Sequence, residues 1–392
     1  MKKLFVFIIF VFLVPNIVFA SSFDITSKYV ILYNLNDDEV LFEQDSNKQT
    51  SIASLTKMMT ALVAIENIDD FDELVTITNE DFLGTSGYSK AGFSVGDTVT
   101  YEDLLYGILL PSGADAVNAI VNNTLGYDSF VTEMNNLADQ IGLSNTSFSN
   151  PIGKDDEDNY STASDIAILL KYALKNETFK KIFTTKEYTT SNGLILESTL
   201  YPYKDILEVD KIAGSKSGFT KDAGRCLASI ATLNGVDYLL VVINASTDQN
   251  YSAVLDSLTI YDYYNENYSY QQVLSTNDVI KTIPVKWSKD KTYNITGPEN
   301  VELYLENNTA ENLSITYDGI EQIDAFTKSG TKLGTITISD GDEVLYTAAV
   351  TLDSDITYYN PIVIAVGIII LLFIILWIFK KIRRKRRRRK KR

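Results

Sequence analysis

A serine and a lysine three residues apart are the first pair in this chain able to do covalent chemistry. Ser54 and Lys57 stand at the start of a predicted helix over residues 54–67. Residues with this spacing share one helix face, with Cβ atoms about 5 to 6 Å apart, so the hydroxyl and the amine can meet. The 392 residues contain no histidine. A lysine must therefore take the proton that histidine takes in a Ser-His-Asp site.

A lysine base acts only as the neutral amine. Its pKa of about 10 has to fall through burial or through a second cation nearby. The absence of histidine also excludes the His-rich zinc sites of metallopeptidases, and we expect neither a metal nor a cofactor. Taken alone, Ser-x-x-Lys is more typical of a helix-capping serine beside a solvated lysine. It occurs again at Ser288 and Ser329, in a strand-rich region.

Two further segments supply hydroxyl and amine groups. Lys216-Ser217-Gly218 falls in a strand-like stretch, where a glycine lets a ligand backbone lie along a sheet edge beside a cation and a hydroxyl. Ser112-Gly113 falls in a turn between two predicted helices, where the serine could relay a proton. The order Ser-x-x-Lys, Ser-Gly-x, Lys-Ser/Thr-Gly is the signature of penicillin-binding proteins and serine β-lactamases.

The sequence resembles the D-alanyl-D-alanine carboxypeptidases, the low-molecular-weight penicillin-binding proteins of peptidase family S11, over about residues 25–265. Beyond the three motifs, the stretches that resemble this family are residues 52–60, 150–153, 155–158, 160–163, 216–220 and 223–224. The resemblance implies a hydrolase that trims peptidoglycan stem peptides ending in D-Ala-D-Ala and is acylated by β-lactam antibiotics.

The resemblance also implies roles for individual residues. Ser54 would be the nucleophile and Lys57 its base, with a pKa lowered by burial and by Lys216. Ser112 would pass the proton to the departing D-alanine. The substrate-binding residues would be Lys216, Ser217, Gly218 and Phe219, with Lys216 and Ser217 on the terminal carboxylate and the backbone N–H groups of Ser54 and Phe219 forming the oxyanion hole.

Some positions depart from the family pattern. Ala114 stands where the middle motif usually has Asn, which leaves rate and substrate positioning open, and the direction of the following Asp115 side chain is not determined by the sequence. Ser217 replaces the commoner Thr but keeps the hydroxyl. Residues 84–96, with several glycines, lie where relatives carry a segment beside the active site, although a plain surface loop is the simpler interpretation.

Two other functions remain open at this level. A membrane-anchored β-lactamase shares the three motifs but needs a second base, for which the acidic residues 156–158 are candidates. A catalytically silent β-lactam sensor or wall-binding protein is suggested by Ala114 and by the basic C-terminal tail.

The pattern along the chain predicts five segments. Residues 1–20 read as an export signal and residues 21–270 as an α+β penicillin-binding-protein/serine β-lactamase-like domain. Residues 275–355 have the alternation of a small all-β sandwich. Residues 361–379 carry no charge and are long enough to cross a bilayer as a C-terminal transmembrane helix, and residues 380–392 form a basic tail.

Charge places the tail and the domains on opposite sides of the membrane. Twelve of the 13 tail residues are Lys or Arg, whereas the whole chain has 51 acidic and 35 basic residues. We therefore expect a single-pass cell-membrane protein with its catalytic domain outside, a cytoplasmic tail on anionic lipid and no nucleic-acid partner. The single cysteine, Cys226, lies in an apolar run and is expected to be a core residue.

Overall fold

The computed structural model describes residues 23–389 and the side chains of residues 23–387. The predicted export signal and the end of the basic tail lie outside the described residues. The chain divides into two compact units between Glu266 and Asn267.

The first unit mixes helices with an antiparallel sheet. Its helices are α1 Thr56–Asn67, α2 Tyr101–Leu109, α3 Ala114–Asn123, α4 Tyr127–Ile141, α5 Ala163–Ala173, α6 Glu177–Thr184 and α7 Ser252–Asn267. Its strands are β1 Tyr29–Asn34, β2 Glu39–Gln44, β3 Leu74–Thr76, β4 Thr98–Thr100, β5 Glu187–Thr189, β6 Ile195–Glu197, β7 Gly214–Thr220, β8 Gly224–Leu233 and β9 Val236–Ala245.

The main sheet has the order β2-β1-β9-β8-β7, which leaves β7 at one edge. The β8–β9 hairpin turns at Asn234 and Gly235, both with positive φ, as the twist of a two-residue hairpin requires. An edge strand presents unpaired backbone groups along its outer side. The Lys216-Ser217-Gly218 motif therefore lies on a strand to which an extended peptide can add.

Helix α1 lies at the centre of the core. Its residues from Thr56 to Ile65 are all buried, and it packs against α2, α3, α4, α5 and α6. A helix buried on every side is normally apolar all round, and the polar members of this one have partners. Thr60 donates from Oγ1 to the Pro151 carbonyl oxygen at 2.6 Å. The core thus fixes the helix that carries Lys57.

The second unit consists mainly of strands before its last helix, with one 3-10 turn at Ala310–Asn312. The strands are β10 Tyr268–Leu274, β11 Val279–Lys286, β12 Thr292–Thr296, β13 Val301–Glu306, β14 Ser314–Gly319, β15 Ile323–Asp324, β16 Lys332–Asp340 and β17 Glu343–Thr351. They form the small sheets β10-β13, β12-β11-β15 and β14-β16-β17 around a separate apolar core. The unit begins with β10, which the sequence pattern did not assign to a strand.

Helix α8, Pro361–Arg389, follows the strands. Within the described residues it is the one helix long and apolar enough to cross a membrane, with a mean hydropathy of 3.4 and no burial in its most apolar window. A bilayer is the environment in which such a helix is stable.

Candidate active site

Lys57 is fully buried and points at Ser54. Its Nζ donates to Ser54 Oγ at 2.9 Å and to the Ile152 carbonyl oxygen at 2.7 Å. Burial lowers the pKa of Lys57 to about 7, while the negative charge of Asp115 acts in the opposite direction. A neutral amine held beside a serine hydroxyl is the arrangement that general-base activation of that serine requires.

The backbone before α1 sets the position of Ser54. Residues Ala53–Leu55 form a 3-10 turn, and Ala53 has a φ of +48°, which is uncommon for a residue with a Cβ. Gly153 packs directly on this turn, and a Cβ there would lie 2.1 Å from the Ala53 carbonyl oxygen. Asn150 Oδ1 accepts from the Gly153 N–H at 2.8 Å and so fixes the segment that contacts Ala53.

A second lysine and serine pair completes the site. Lys216 is fully buried, and its Nζ donates to Ser112 Oγ at 2.8 Å and to the Ser217 carbonyl oxygen at 2.7 Å. Ser112 has a φ of +66° in the turn between α2 and α3. Strain of this kind is concentrated at functional sites. Gly218 lets β7 approach the nucleophile, since a Cβ on it would lie 3.1 Å from the Ser54 nitrogen.

Both buried lysines have a lowered pKa. The pKa of Lys216 lies well below its usual value, first because of burial and then because of the charge of Lys57. The sequence predicted a Lys57 pKa lowered by burial and by Lys216, and burial is the cause that the structure supports.

A groove of about 490 Å³ opens over these groups. Ser54, Ser112, Ser217, Gly218 and Phe219 all line it, and the Phe219 side chain is half exposed on its wall. Lys57 and Lys216 lie behind this surface, with their amines on Ser54 and Ser112. All seven predicted site residues therefore meet at one place.

The sequence reasoning did not identify Arg225 and Thr199. Arg225 lines the groove, stacks its guanidinium 4.5 Å from the Phe219 ring centre and donates to Asn250 Oδ1. Its Nε is buried without a hydrogen-bond partner. Ser217 Oγ donates to Thr199 Oγ1 at 2.7 Å. The register that pairs Phe219 with Arg225 across β7 and β8 could have indicated the arginine once that hairpin was assigned.

Ala114 and Asp115 hold the neighbouring loop and do not enter the groove. The buried Asp115 carboxylate accepts from the Ala91 N–H at 2.7 Å, and the Ala114 N–H donates to the Ser89 carbonyl oxygen at 2.8 Å. Residues 87–89 line the groove. Residues 87–89 are thus part of the wall of the site, whereas the simpler interpretation of residues 84–96 was a plain surface loop.

The fold and the two lysine and serine pairs define the serine penicillin-binding protein and β-lactamase class. A family model described as D-alanyl-D-alanine carboxypeptidase, peptidase S11, matches residues 16–247. A second, described as penicillin-binding protein 5, C-terminal domain, matches residues 268–358. The chain belongs to the S11 family, and both the predicted family and the predicted fold class are confirmed.

Individual relatives agree with this assignment. The chain is 29% identical to D-alanyl-D-alanine carboxypeptidase DacF of Bacillus subtilis over 339 residues, covering 84% of this chain and 85% of the relative. It is 33% identical to the D-alanyl-D-alanine carboxypeptidase of Streptomyces sp. strain K15, over 53% of this chain and 76% of that one. Penicillin-binding protein 5 of Haemophilus influenzae has a similar fold, with a TM-score of 0.62 at 22% identity over 86% of this chain and 99% of that one.

The predicted activity follows from these findings. The relatives are named D-alanyl-D-alanine carboxypeptidases, and this chain is a serine-type carboxypeptidase of the same kind.

We expect Gly153→Ala to disable the site, because the new Cβ displaces the Ala53 carbonyl and with it Ser54. Overpacking of this kind costs about 1 to 3 kcal/mol in unfolding free energy. Acylation by a fluorescent penicillin and thermal unfolding measure the two effects. Gly193→Ala is the matched control: its φ of +86° is within a degree of the +85° of Gly153, but no atom lies within 4 Å of the added Cβ. Equal acylation by the two variants would contradict the packing argument.

Proposed function

We propose that this protein removes the terminal D-alanine from peptidoglycan stem peptides through an acyl-enzyme on Ser54. The observation that carries the proposal is the fully buried Lys57, whose Nζ lies 2.9 Å from Ser54 Oγ and whose pKa is about 7. Close to neutral pH a large share of the enzyme then holds a neutral amine against the nucleophile. General bases work best when their pKa lies near the working pH.

Acylation begins when Ser54 Oγ attacks the carbonyl carbon of the penultimate D-alanine and Lys57 takes the hydroxyl proton. The backbone N–H groups of Ser54 and Phe219 stabilise the tetrahedral oxyanion, and loss of one such donor typically costs about 2.7 to 4 kcal/mol. Lys57 passes the proton on to Ser112, which is hydrogen-bonded to Lys216, and the Ser112 hydroxyl gives its proton to the nitrogen of the departing D-alanine, so that Lys57 is neutral again. Water then attacks the acyl-enzyme while Lys57 takes the proton of the water, and Lys57 returns this proton to Ser54 Oγ as the acyl bond breaks.

The groove suits a peptide that ends in a free carboxylate. No Asp or Glu is among the described residues that line it, although the chain carries 51 acidic residues. Ser217 offers a hydroxyl, Lys216 lies just behind it, and Arg225 supplies a permanent charge with one N–H still unpaired. A bound carboxylate would raise the pKa of Lys216 and so favour its charged form. β-Lactams carry an equivalent carboxylate and would be bound in the same way.

The β-lactamase alternative has less support. A β-lactamase needs a second base for deacylation, and the candidates are residues 156–158. These side chains are exposed and do not line the groove. The Asp156 carboxylate accepts from the Asp158 N–H at 2.9 Å, as in a local turn. A stable acyl-enzyme with β-lactams is the expected consequence.

The N-terminal segment and the C-terminal helix with its basic tail support a location for this protein in the cell. We propose that residues 1–20 direct export, that α8 anchors the protein as a single span, and that its basic end lies in the cytoplasm against anionic lipid. Lys and Arg flank the cytoplasmic end of membrane spans far more often than the outer end. The catalytic unit at residues 21–270 and the β unit at residues 275–355 would then face the cell wall.

Ser54→Ala should abolish both D-alanine release from a peptide ending in Lys-D-Ala-D-Ala and labelling by fluorescent penicillin. Ser288→Ala is the matched control, because Ser288 begins another Ser-x-x-Lys copy and its buried Oγ has no hydrogen-bond partner. We expect this variant to keep full activity. D-Alanine release that persists in Ser54→Ala would contradict the assignment of Ser54 as the nucleophile. If the native protein is labelled by penicillin but releases no D-alanine, a β-lactam sensor would be favoured instead.

Arg225→Gln should lower kcat/KM for a peptide with a free C-terminal carboxylate. Hydrogen bonds to charged groups are worth about 1.5 to 3 kcal/mol, which corresponds to a loss of about 10-fold to 150-fold. Acylation by a penicillin methyl ester should change far less, since the ester has no charge to pair. Lys221→Gln removes an exposed cation from the same hairpin and is the control. An equal fold-loss of rate for the free-acid peptide and for the penicillin methyl ester would show that Arg225 does not bind the carboxylate.

A further inference from the structure

Four aromatic side chains are exposed on the second unit close to the start of α8. The exposed fractions are 49% for Trp287, 65% for Phe326, 44% for Tyr358 and 40% for Tyr359. We propose that this juxtamembrane aromatic cluster docks into the headgroup layer of the bilayer that α8 enters, so that the β unit lies on the membrane surface. The proposal rests on the membrane anchoring proposed above.

Backbone hydrogen bonds and a ring contact hold the four residues of the cluster together. The Tyr359 N–H donates to the Trp287 carbonyl oxygen at 2.7 Å, and Ser288 and Tyr358 form a backbone bridge. The Phe326 and Tyr358 rings have centroids 5.6 Å apart. The last residues before the helix are therefore paired with the β unit, and the four rings move with it.

Hydrogen bonds also fix the start of helix α8. Asn360 is buried, and its Oδ1 accepts from the N–H groups of Ile362 at 3.0 Å and Val363 at 3.3 Å. The helix and its continuous apolar stretch begin at Pro361, so the hydrocarbon layer begins near this residue. A residue spans at most about 3.6 Å of chain, which keeps Tyr358 and Tyr359 within roughly 11 Å of that boundary.

The residue types fit this depth. Tryptophan and tyrosine are enriched at membrane interfaces because their rings have an apolar body and a polar edge. Trp287 has a φ of +59°, an unusual backbone conformation for a bulky residue, and its side chain is nevertheless half exposed. An exposed cluster of aromatic rings is costly in water, and a lipid interface beside the helix would cover it.

Charge contributes little to this contact. Exposed Lys286 and Lys289 flank Trp287 in sequence, and Lys291 donates to the Ser288 carbonyl oxygen. Asp290 is adjacent to these lysines, Asp324 lies two residues before Phe326, and Lys328 is paired with Asp355. Because the two signs nearly balance, we expect apolar insertion of the rings without a requirement for anionic lipid. This separates the cluster from the basic tail, whose attraction to lipid is electrostatic.

The chain contains two tryptophans, which makes each part of the proposal measurable by itself. In residues 21–392 reconstituted into phosphatidylcholine vesicles, Trp377→Phe leaves Trp287 as the only fluorescent indole, and Trp287→Phe leaves Trp377. The vesicles carry bromine near the headgroups or near the chain ends of the lipid. We expect Trp287 to be quenched most by the shallow bromines and protected from aqueous acrylamide, with no dependence on salt. Adding Phe326→Ser and Tyr358→Ser should restore its exposure to acrylamide.

The outcomes distinguish docking from anchoring. Quenching of Trp377 by lipid while Trp287 stays open to acrylamide would overturn docking and leave the membrane helix in place. A Trp377 that no brominated lipid quenches would overturn the anchoring and with it the docking, but not the carboxypeptidase activity. Protection of Trp287 only in native membranes, and not in pure lipid, would assign the cluster to a protein partner and also overturn the proposal.

Discussion

The desolvation of one amine is the constraint on which the catalytic unit depends. A lysine in water is protonated at neutral pH and cannot accept a proton from serine. Placing Lys57 on a helix enclosed by five others removes water from the amine and lowers its pKa to about 7. The Ser54 hydroxyl and the Ile152 carbonyl accept hydrogen bonds from the Lys57 amine and so offset the free energy lost by burying it. The central position of α1 is therefore a chemical requirement as well as a packing one.

The same constraint explains the surroundings of the site. Gly153 and the left-handed Ala53 allow the segment that bears the Ile152 carbonyl to pack closely against the turn that carries the nucleophile. A second buried lysine, Lys216, donates a hydrogen bond to Ser112, and its pKa is also lowered by burial. Asp115 opposes the depression of the Lys57 pKa, but its carboxylate is occupied with the N–H groups of Ala91 and Gly92, and this holds the loop at the wall of the groove.

Much of this arrangement could be predicted from the sequence, and the rest depends on contacts between distant segments. The long helices and the apolar strands β8 and β9 follow from periodicity, and the three motifs in order were sufficient for the family. Helix α6 was missed although Asn176 caps it and its Phe179, Ile182 and Phe183 face the core. The direction of Asp115, the partner Thr199 and the presence of Arg225 depend on register and on loop packing, which no local pattern contains. The aromatic cluster near α8 likewise joins residues about 70 positions apart in sequence.

The central claim is that a buried, neutral Lys57 activates Ser54, and the pH dependence of acylation tests it most directly. The rate constant for acylation by a β-lactam is measured over roughly pH 5 to pH 9, beside Lys57→Arg, which keeps the positive charge but cannot lose its proton. A lowered pKa means that the amine is neutral above it, so the rate should rise with pH, reach half its maximum near pH 7 and then level off, with no acylation of the arginine variant at any pH. A rate that keeps rising toward the ordinary lysine pKa of 10.5, or an arginine variant that is acylated normally, would contradict the account.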